Sequence, residues 1–244
     1  MAISKNDLKE FSSLKRKSKR LELGLFLVEG IKNCEELLAS DYEVVAVLTT
    51  NNISHEFTNA IDISSKDAAR ISQLKSPSPV MAIAKIPKNE SFLKESDVIY
   101  FLESINDPGN LGTIIRTLDW FGINQLVCSI DTVDVFNSKT VMASMGSVFR
   151  TNVVYMDFIQ LQNQFENHKV LATTINGNNI YEFKIPKKSI IVFGNESKGV
   201  SNEILEMSYK QISIPRLGKA ESLNVSTSVA VITNELVKST FKGH

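Results

Sequence analysis

Three short segments of the chain combine glycine or proline with side chains that can hold a substrate by hydrogen bonds. The segments are 106–122, 193–201 and 214–236, and each begins at or just after an apolar run of strand length. Glycine and proline permit tight turns in which backbone amides face a ligand. The asparagine, glutamate and serine side chains there are suited to orienting polar groups. The residues therefore predict one composite ligand site made of three loops, and by themselves they leave its chemistry open.

Arg116 is the only cation of the segment 106–122, and it lies on a predicted helix. The apolar residues of that helix recur with helical spacing, and Arg116 projects about 140° from the centre of their stripe. One interpretation is a solvated surface arginine. The other is an arginine that reaches over the preceding turn toward an anion or a hydroxyl group. The segment alone supports both interpretations equally.

The elements that position these loops alternate between strands and helices. Apolar runs predict the strands 25–28, 44–50, 80–86, 98–103, 125–129, 153–156, 169–174, 189–195 and 211–215. Amphipathic runs predict the helices 31–40, 65–74, 111–121, 138–149, 158–167, 202–208 and a last one that begins near 224. This alternation is typical of an α/β fold with a mostly parallel sheet and helices on both faces. Such sheets bind ligands in the loops beyond the carboxyl ends of their strands.

Composition disfavours several classes of protein. Two cysteines and three histidines in 244 residues argue against a disulfide framework, a structural zinc and a histidine metal site. We therefore expect no metal and a reduced, cytoplasmic setting. No apolar run approaches the roughly 20 residues of a membrane span, so we expect no membrane partner. Neither GxGxxG nor GxxxxGKS/T occurs, which disfavours dinucleotide-binding and NTP-binding loops.

The formal net charge is zero, but the basic residues are concentrated near the N-terminus. Residues 1–20 hold seven Lys or Arg side chains against two Asp or Glu side chains. A basic segment can contact a phosphate backbone even on a neutral protein. The predicted contacts are Lys15, Arg16, Lys17, Lys19 and Arg20. A solvated basic helix is the alternative interpretation.

Taken together, the three loops resemble the signature motifs of the SpoU (TrmH-type) branch of the SPOUT RNA methyltransferases. That family transfers a methyl group from S-adenosylmethionine to a ribose 2′-hydroxyl of RNA. DPGNLGTIIRTLDWFG resembles its first motif, FGNESKGVS its second and IPRLGKAESLNVS its third, and ASMGSVF resembles a further family segment. The resemblance extends from about residue 98 to residue 240. Arg216 departs from it, because the family often has methionine there.

The resemblance implies two domains and a linker. Residues 98–244 are expected to form a SPOUT methyltransferase domain with a deep trefoil knot, which departs from the usual rule against threading. Residues 1–90 resemble the smaller α/β substrate-binding domain of rRNA-directed members, and 91–97 form the predicted linker. The implied partners are RNA, more often rRNA than tRNA, and a second copy of the chain. The homodimer is expected to build each active site from both subunits.

The resemblance also implies the site residues. The catalytic candidates are Arg116, Asn110, Glu196, Ser222 and Asn224. The candidates for binding S-adenosylmethionine are Thr173, Thr174, Gly194, Ile214 and Leu223. Because a guanidinium stays protonated in proteins, Arg116 is better suited to orienting the hydroxyl and stabilising an alkoxide or phosphate than to general-base action. For Glu196 and Asn224, the alternative is a purely structural role in which they hold the loops together.

Other functions stay open at this point. They are a tRNA-directed 2′-O-methyltransferase, a non-catalytic RNA-binding relative, and a SPOUT enzyme that methylates a base nitrogen. The intact Asn110, Arg116 and Ser222 argue against loss of catalysis. The first motif, with Asn110 and Arg116, favours ribose over base as the methylated group.

Overall fold

The computed structural model describes residues 3–50, 57–87 and 95–238. The chain divides into two compact units. The N-terminal unit comprises Met1–Asn89 and Asp134–Arg150, and the C-terminal unit comprises Glu90–Val133 and Thr151–His244. Among the described residues, no helix combines the length and the apolar character needed to cross a membrane.

The segment Asp134–Arg150 belongs with the N-terminal unit, although its place in the sequence lies within the predicted domain 98–244. The predicted boundaries of the domain 1–90 and of the linker 91–97 stay predictions. Residues 91–94 of that linker lie outside the described residues.

Helices and strands alternate along both halves of the chain. The first half contains α1 (Lys5–Ser13), α2 (Lys17–Leu23), β1 (Leu25–Glu29), α3 (Ile31–Leu38), β2 (Val44–Thr49), β3 (Ile61–Asp62), α4 (Ser65–Ile71) and β4 (Val80–Lys85). The second half contains β5 (Val98–Leu102), α5 (Pro108–Trp120), β6 (Gln125–Cys128), α6 (Ser138–Ser144), β7 (Asn152–Tyr155), α7 (Phe158–Gln164), β8 (Lys169–Asn179), β9 (Ser189–Phe193), α8 (Asn202–Met207), β10 (Lys210–Ser213) and α9 (Val225–Val237).

The N-terminal unit is built on a mixed sheet in the order β1-β4-β2-β3. β4 is antiparallel to both β1 and β2, whereas β2 and β3 are parallel. Two helices that the apolar pattern did not predict, α1 and α2, precede this sheet. α1 begins with a capping box, in which Ser4 accepts a hydrogen bond from the backbone of Asp7 and the Asp7 side chain accepts one in return.

The C-terminal unit is built on six strands in the order β10-β8-β9-β5-β6-β7, and every neighbouring pair is parallel. The strands at its centre are mostly apolar, and both β6 and β9 are buried along their whole length. Strands buried on both faces read as continuous apolar runs, and for this reason the sequence located them well. The predicted α/β class with a mostly parallel sheet and a smaller N-terminal α/β domain is confirmed.

The predicted helix 138–149 is shorter than expected. α6 ends at Ser144, Met145 and Gly146 follow in the left-handed region with φ of 49° and 91°, and a 3-10 turn begins at Ser147. A Cβ on Gly146 would lie 2.5 Å from the Cγ of Glu36, so only glycine fits against α3 at this point. α6 therefore ends in the left-handed turn of Met145 and Gly146, which also brings the backbone close to Glu36.

β8 is interrupted where it pairs with β10. Ala172 lies opposite Gln211, and the next pair is Asn178 with Ile212, so the five residues 173–177 lie outside the strand register with β10. A Cβ on Gly177 would lie 2.6 Å from the backbone carbon of Ile212. Glycine is therefore required where this excursion crosses the neighbouring strand.

Arg20 and Asp134 form a buried ion pair within the N-terminal unit. Their side chains are 3% and 12% exposed, and Nε and Nη2 of Arg20 lie 2.9 and 2.5 Å from Oδ2 of Asp134. Nη1 donates to the carbonyl oxygen of Leu14 at 2.8 Å. The other end of the segment 134–150 is held by an ion pair between Arg150 and Glu36 at 2.5 Å. Two ion pairs therefore attach this segment to the unit.

We predict that Asp134→Asn lowers the free energy of unfolding by about 3 kcal/mol, because Arg20 then stays buried without a counter-ion. The exposed pair Lys85–Glu43 in the same unit is the matched control, and Glu43→Gln is expected to cost less than about 1 kcal/mol. Urea unfolding followed by circular dichroism measures both values. Equal losses of unfolding free energy in the two variants would contradict the conclusion that the Arg20–Asp134 pair is a buried structural contact.

Candidate functional site

The order of the strands brings the three predicted loops to one edge of the C-terminal sheet. β10, β8, β9 and β5 are parallel neighbours, so their carboxyl ends point to the same edge. Asn110 lies at the start of α5, after β5; Glu196 follows β9; and Asn224 lies between β10 and α9. Ligands bind at this edge in open parallel sheets.

Two hydrogen bonds join these three loops. Nδ2 of Asn110 donates to Oε1 of Glu196 at 2.8 Å, and Nδ2 of Asn224 donates to Oδ1 of Asn110 at 2.9 Å. We call the set Asn224–Asn110–Glu196 the three-loop bridge. Because a carboxylate can only accept, Glu196 turns the nitrogen of the Asn110 amide toward itself and leaves the amide oxygen for Asn224. Both hydrogen bonds of the bridge therefore run in the same donor-to-acceptor direction, from Asn224 through Asn110 to Glu196.

Helix caps hold both asparagines of the bridge. Asn224 is the N-cap of α9, and its Oδ1 accepts hydrogen bonds from the backbone nitrogen of Ser226 at 2.9 Å and from its hydroxyl at 2.6 Å. Asp107 is the N-cap of α5, and its Oδ1 accepts from the backbone nitrogen of Asn110 at 2.8 Å. With its oxygen occupied by the cap, Asn224 presents its nitrogen to Asn110.

A cavity of about 620 Å³, lined mainly by residues with polar side chains, adjoins the bridge in the C-terminal unit. Its lining includes Asn110 and Glu196 of the bridge, and its other charged residues are Glu103, Asp107, Asp131 and Lys198.

The carboxylate of Asp131 is held in this lining by two hydroxyl groups. Partial burial alone would raise its pKa, but hydrogen bonds from Ser104 and Ser129 outweigh burial and lower the pKa. The cavity therefore presents fixed carboxylate and amide groups, which suit a ligand rich in hydroxyl and amino groups.

The predicted cofactor residues lie at the same edge. Thr173 and Thr174 directly follow the part of β8 that pairs with β9, and Gly194 directly follows β9. A Cβ on Gly194 would lie 2.1 Å from the backbone carbon of Gly199, so glycine is required there. Ile214 follows β10, and beyond it the loop that contains Leu223 is exposed.

Arg116 and Ser222 do not join the three-loop bridge. Both side chains are exposed, and neither makes a hydrogen bond or an ion pair with a residue of the described ranges. Arg116 lies six residues after Asn110 on α5, which is about 9 Å along the axis and about 120° around it. One turn further along the same face, Trp120 is 86% exposed.

The basic N-terminal residues differ from one another in exposure. Lys15, Arg16 and Lys17 are exposed, whereas Lys19 pairs with Glu22 at 2.6 Å. Arg20 is also a predicted RNA contact, but its guanidinium is buried and bonds to Asp134 and to the backbone carbonyls of Leu14 and Lys15. A high local density of basic residues does not by itself show which of them are exposed.

The two cysteines are buried and unreactive in character. Burial raises the pKa of Cys34 to about 12 and raises that of Cys128 as well. Within the described residues, no group of three or more His, Cys, Asp or Glu side chains is placed to hold a metal.

Sequence reasoning missed three residues that support the site. Asp107 carries a recognisable signal, because an aspartate directly before a proline is typical of a helix start. Asn195 and Ser104 carry no such signal, since their contacts join loops that are 91 residues apart.

Comparisons with known proteins agree with this geometry. The SpoU rRNA Methylase family model matches residues 97–234, and the MRM3-like substrate binding domain model matches residues 5–82. The 23S rRNA (guanosine(2553)-2′-O)-methyltransferase RlmP of Bacillus subtilis is 30% identical over 237 residues, which cover 94% of this chain and 95% of the relative.

Two solved structures have the same fold over nearly their whole length. A protein of Porphyromonas gingivalis assigned to the TrmH family of RNA methyltransferases is 31% identical, with a TM-score of 0.84 and coverage of 96% of this chain and 98% of that one. The SpoU methyltransferase AviRb of Streptomyces viridochromogenes, solved with AdoMet, is 22% identical, with a TM-score of 0.85 and coverage of 99% and 100%.

These matches confirm the resemblance read from the three motifs and the SPOUT fold that it implied. The family model covers more than half of the chain, and the RlmP alignment extends over both units. The chain belongs to the SpoU rRNA methylase family.

Proposed function

We propose that this protein transfers a methyl group from S-adenosylmethionine to a ribose 2′-hydroxyl of rRNA. The three-loop bridge carries the proposal, because it assembles Asn110, Glu196 and Asn224 where the three family motifs meet. The relative RlmP, aligned over 95% of its length, is named as a 23S rRNA 2′-O-methyltransferase. The match of residues 5–82 to a substrate binding domain supports rRNA over tRNA, since tRNA-directed family members are typically shorter. A cytoplasmic location follows from such a substrate.

The loops after β8, β9 and β10 fit the cofactor. S-adenosylmethionine supplies an electrophilic methyl group when bound. Ile214 and the half-exposed Leu223 offer apolar surface in the loop after β10, and Gly194 offers bare backbone after β9. Thr173 and Thr174 add hydroxyl groups at the same edge. AviRb, which shares this fold, was solved with AdoMet, and this supports the assignment.

Glu196 of the bridge and the separate Ser222 are proposed to orient the ribose hydroxyl rather than to ionise it. Glu196 and Ser222 present exposed oxygen atoms that can accept a hydrogen bond from the 2′-hydroxyl. The bridge holds Glu196 in place before substrate arrives, so less entropy is lost when the reacting atoms align. The guanidinium of Arg116 stabilises the oxygen as its proton departs to solvent.

Arg116 is proposed to act in the site of a partner subunit. Within one chain it points away from the bridge, and it shares an exposed face of α5 with Trp120. An aromatic side chain that is 86% exposed favours burial against a second copy. We therefore infer a homodimer in which α5 of each subunit contributes Arg116 to the other site.

Mapping of 2′-O-methyl groups tests the function directly. Ribose methylation blocks alkaline cleavage, so rRNA and tRNA from cells with and without the gene are compared position by position. We expect one or a few rRNA positions to lose protection, and wild-type protein but not Asn110→Ala to restore it. No change in either pool would contradict methyl transfer, and a change confined to tRNA would contradict the rRNA assignment.

Mixing of subunits tests the position of Arg116. Arg116→Ala and Asn110→Ala are each expected to be inactive alone. If Arg116 acts across the interface, mixed dimers contain one intact site, and an equal mixture recovers about a quarter of wild-type activity. If Arg116 acts within its own chain, no mixed site is intact and no activity returns. Methyl incorporation from labelled cofactor measures the result.

The exposed basic residues are proposed to contact RNA phosphates. Lys15→Ala with Lys17→Ala is expected to weaken RNA binding and to reduce the slope of log affinity against log salt by about 2. Lys66→Ala with Lys75→Ala, also exposed and in the same unit, is the control with equal charge loss. Filter binding of an unmodified rRNA transcript over a range of salt concentrations measures both. Identical slopes for the two double variants would refute a specific role for the N-terminal segment.

A further inference from the structure

Asn195 uses its whole side chain to hold the loop that carries Glu196. Its Oδ1 accepts hydrogen bonds from the backbone nitrogens of Ser197 at 2.9 Å and Lys198 at 3.1 Å. Its Nδ2 donates to the carbonyl oxygen of Ser104 at 2.7 Å. The two backbone donors make the amide orientation unambiguous, because only the oxygen can accept from them.

The turn around Glu196 is closed at its base. The backbone of Asn195 exchanges two hydrogen bonds with Gly199, at 3.1 and 2.8 Å. Gly194 packs so tightly on Gly199 that no side chain fits between them. The position of Glu196 therefore depends on where this small closed turn is anchored to the rest of the sheet edge.

Ser104 is a rigid anchor for that turn. Its φ is 56°, a left-handed conformation that is uncommon for a residue other than glycine. Its backbone nitrogen donates to Oγ of Ser129 at 2.8 Å, and its hydroxyl donates to Oδ2 of Asp131 at 2.5 Å. Three separate groups of Ser104, including its carbonyl to Asn195, are therefore fixed by neighbouring loops.

We propose that Asn195 is a positioning residue for methyl transfer, and that it acts by tying the Glu196 turn to the Ser104 carbonyl. The bond from Asn195 to Ser104 connects the turn after β9 to the loop after β5, which also leads to Asn110. The same two loops meet again at the Asn110–Glu196 hydrogen bond. The position of Glu196 is therefore fixed by two hydrogen bonds between these loops. The inferred role in methyl transfer rests on the proposed function.

The substitution Asn195→Asp separates the two functions of this side chain, which are to accept hydrogen bonds within the turn and to donate one to Ser104. An ionised carboxylate still accepts from Ser197 and Lys198 but cannot donate to Ser104. The charged groups that line the cavity around this position are four carboxylates and one cation: Glu103, Asp107, Asp131, Glu196 and Lys198. The hydrogen bonds from Ser197 and Lys198 lower the pKa of the introduced carboxyl, but its second oxygen faces the Ser104 carbonyl oxygen at hydrogen-bonding distance. That repulsion and the excess of negative charge raise the pKa, because only the protonated group can donate to the carbonyl.

The pH dependence distinguishes positioning from a general loss of structure. At neutral pH we expect kcat of Asn195→Asp to fall by roughly tenfold to a hundredfold, with the KM for RNA within about twofold of wild type. The ratio of variant to wild-type kcat is expected to rise as the pH is lowered. Using the ratio removes every effect of pH that the two proteins share.

Two further variants complete the test. Asn195→Ala loses both functions of the side chain, so its kcat falls without recovery at low pH. Asn163→Asp introduces the same charge at an exposed position of α7 and is expected to behave as wild type. A flat pH ratio for Asn195→Asp, unchanged kcat in both Asn195 variants, or a rise in KM alone would overturn the proposal.

Amide hydrogen exchange provides a readout that does not depend on catalysis. Asn195→Ala is expected to lose protection at Ser197 and Lys198, and Asn195→Asp is expected to keep it. If wild-type protein methylates no RNA, the proposed function fails, but the exchange measurement still tests whether Asn195 holds the turn. If protection is unchanged in Asn195→Ala, the positioning role fails whatever the activity.

Discussion

A carboxylate can only accept hydrogen bonds, and this property of Glu196 sets the direction of the contacts around it. Asn110 must turn its nitrogen to Glu196, so its oxygen is left for the nitrogen of Asn224. Asn224 can supply that nitrogen because its own oxygen caps α9. The orientations of the Asn110 and Asn224 amides are thus consistent with a single acceptor, the Glu196 carboxylate, at the end of the bridge.

This arrangement depends on strands that are parallel and adjacent. Only because β10, β8, β9 and β5 end at the same edge do loops separated by 86 and 114 residues meet in hydrogen-bonding range. Close backbone contacts at Gly177 and Gly194 bring the loops together without side chains between them. The cost is conformational strain, which is visible at Ser104 and is held by hydrogen bonds on both sides.

The N-terminal unit illustrates a different constraint. It includes a segment from the second half of the chain, which is held by Arg20 with Asp134 and by Arg150 with Glu36. Such long-range pairs have no signature in local periodicity. In the sequence Arg20 therefore looks like one more surface cation of a basic run, although it is buried in the structure, whereas Lys15, Arg16 and Lys17 are exposed.

The sequence by itself determined the alternation of elements, the α/β class and the three motif loops, because buried parallel strands and amphipathic helices have local patterns. It also singled out Asn110, Glu196 and Asn224. Only the tertiary structure decided which of these side chains touch, that Arg116 stands apart from them within one chain, and that Asn195 anchors the loop beneath Glu196. Those facts are set by distances between loops far apart in sequence, and such distances depend on strand order and packing rather than on neighbouring residues.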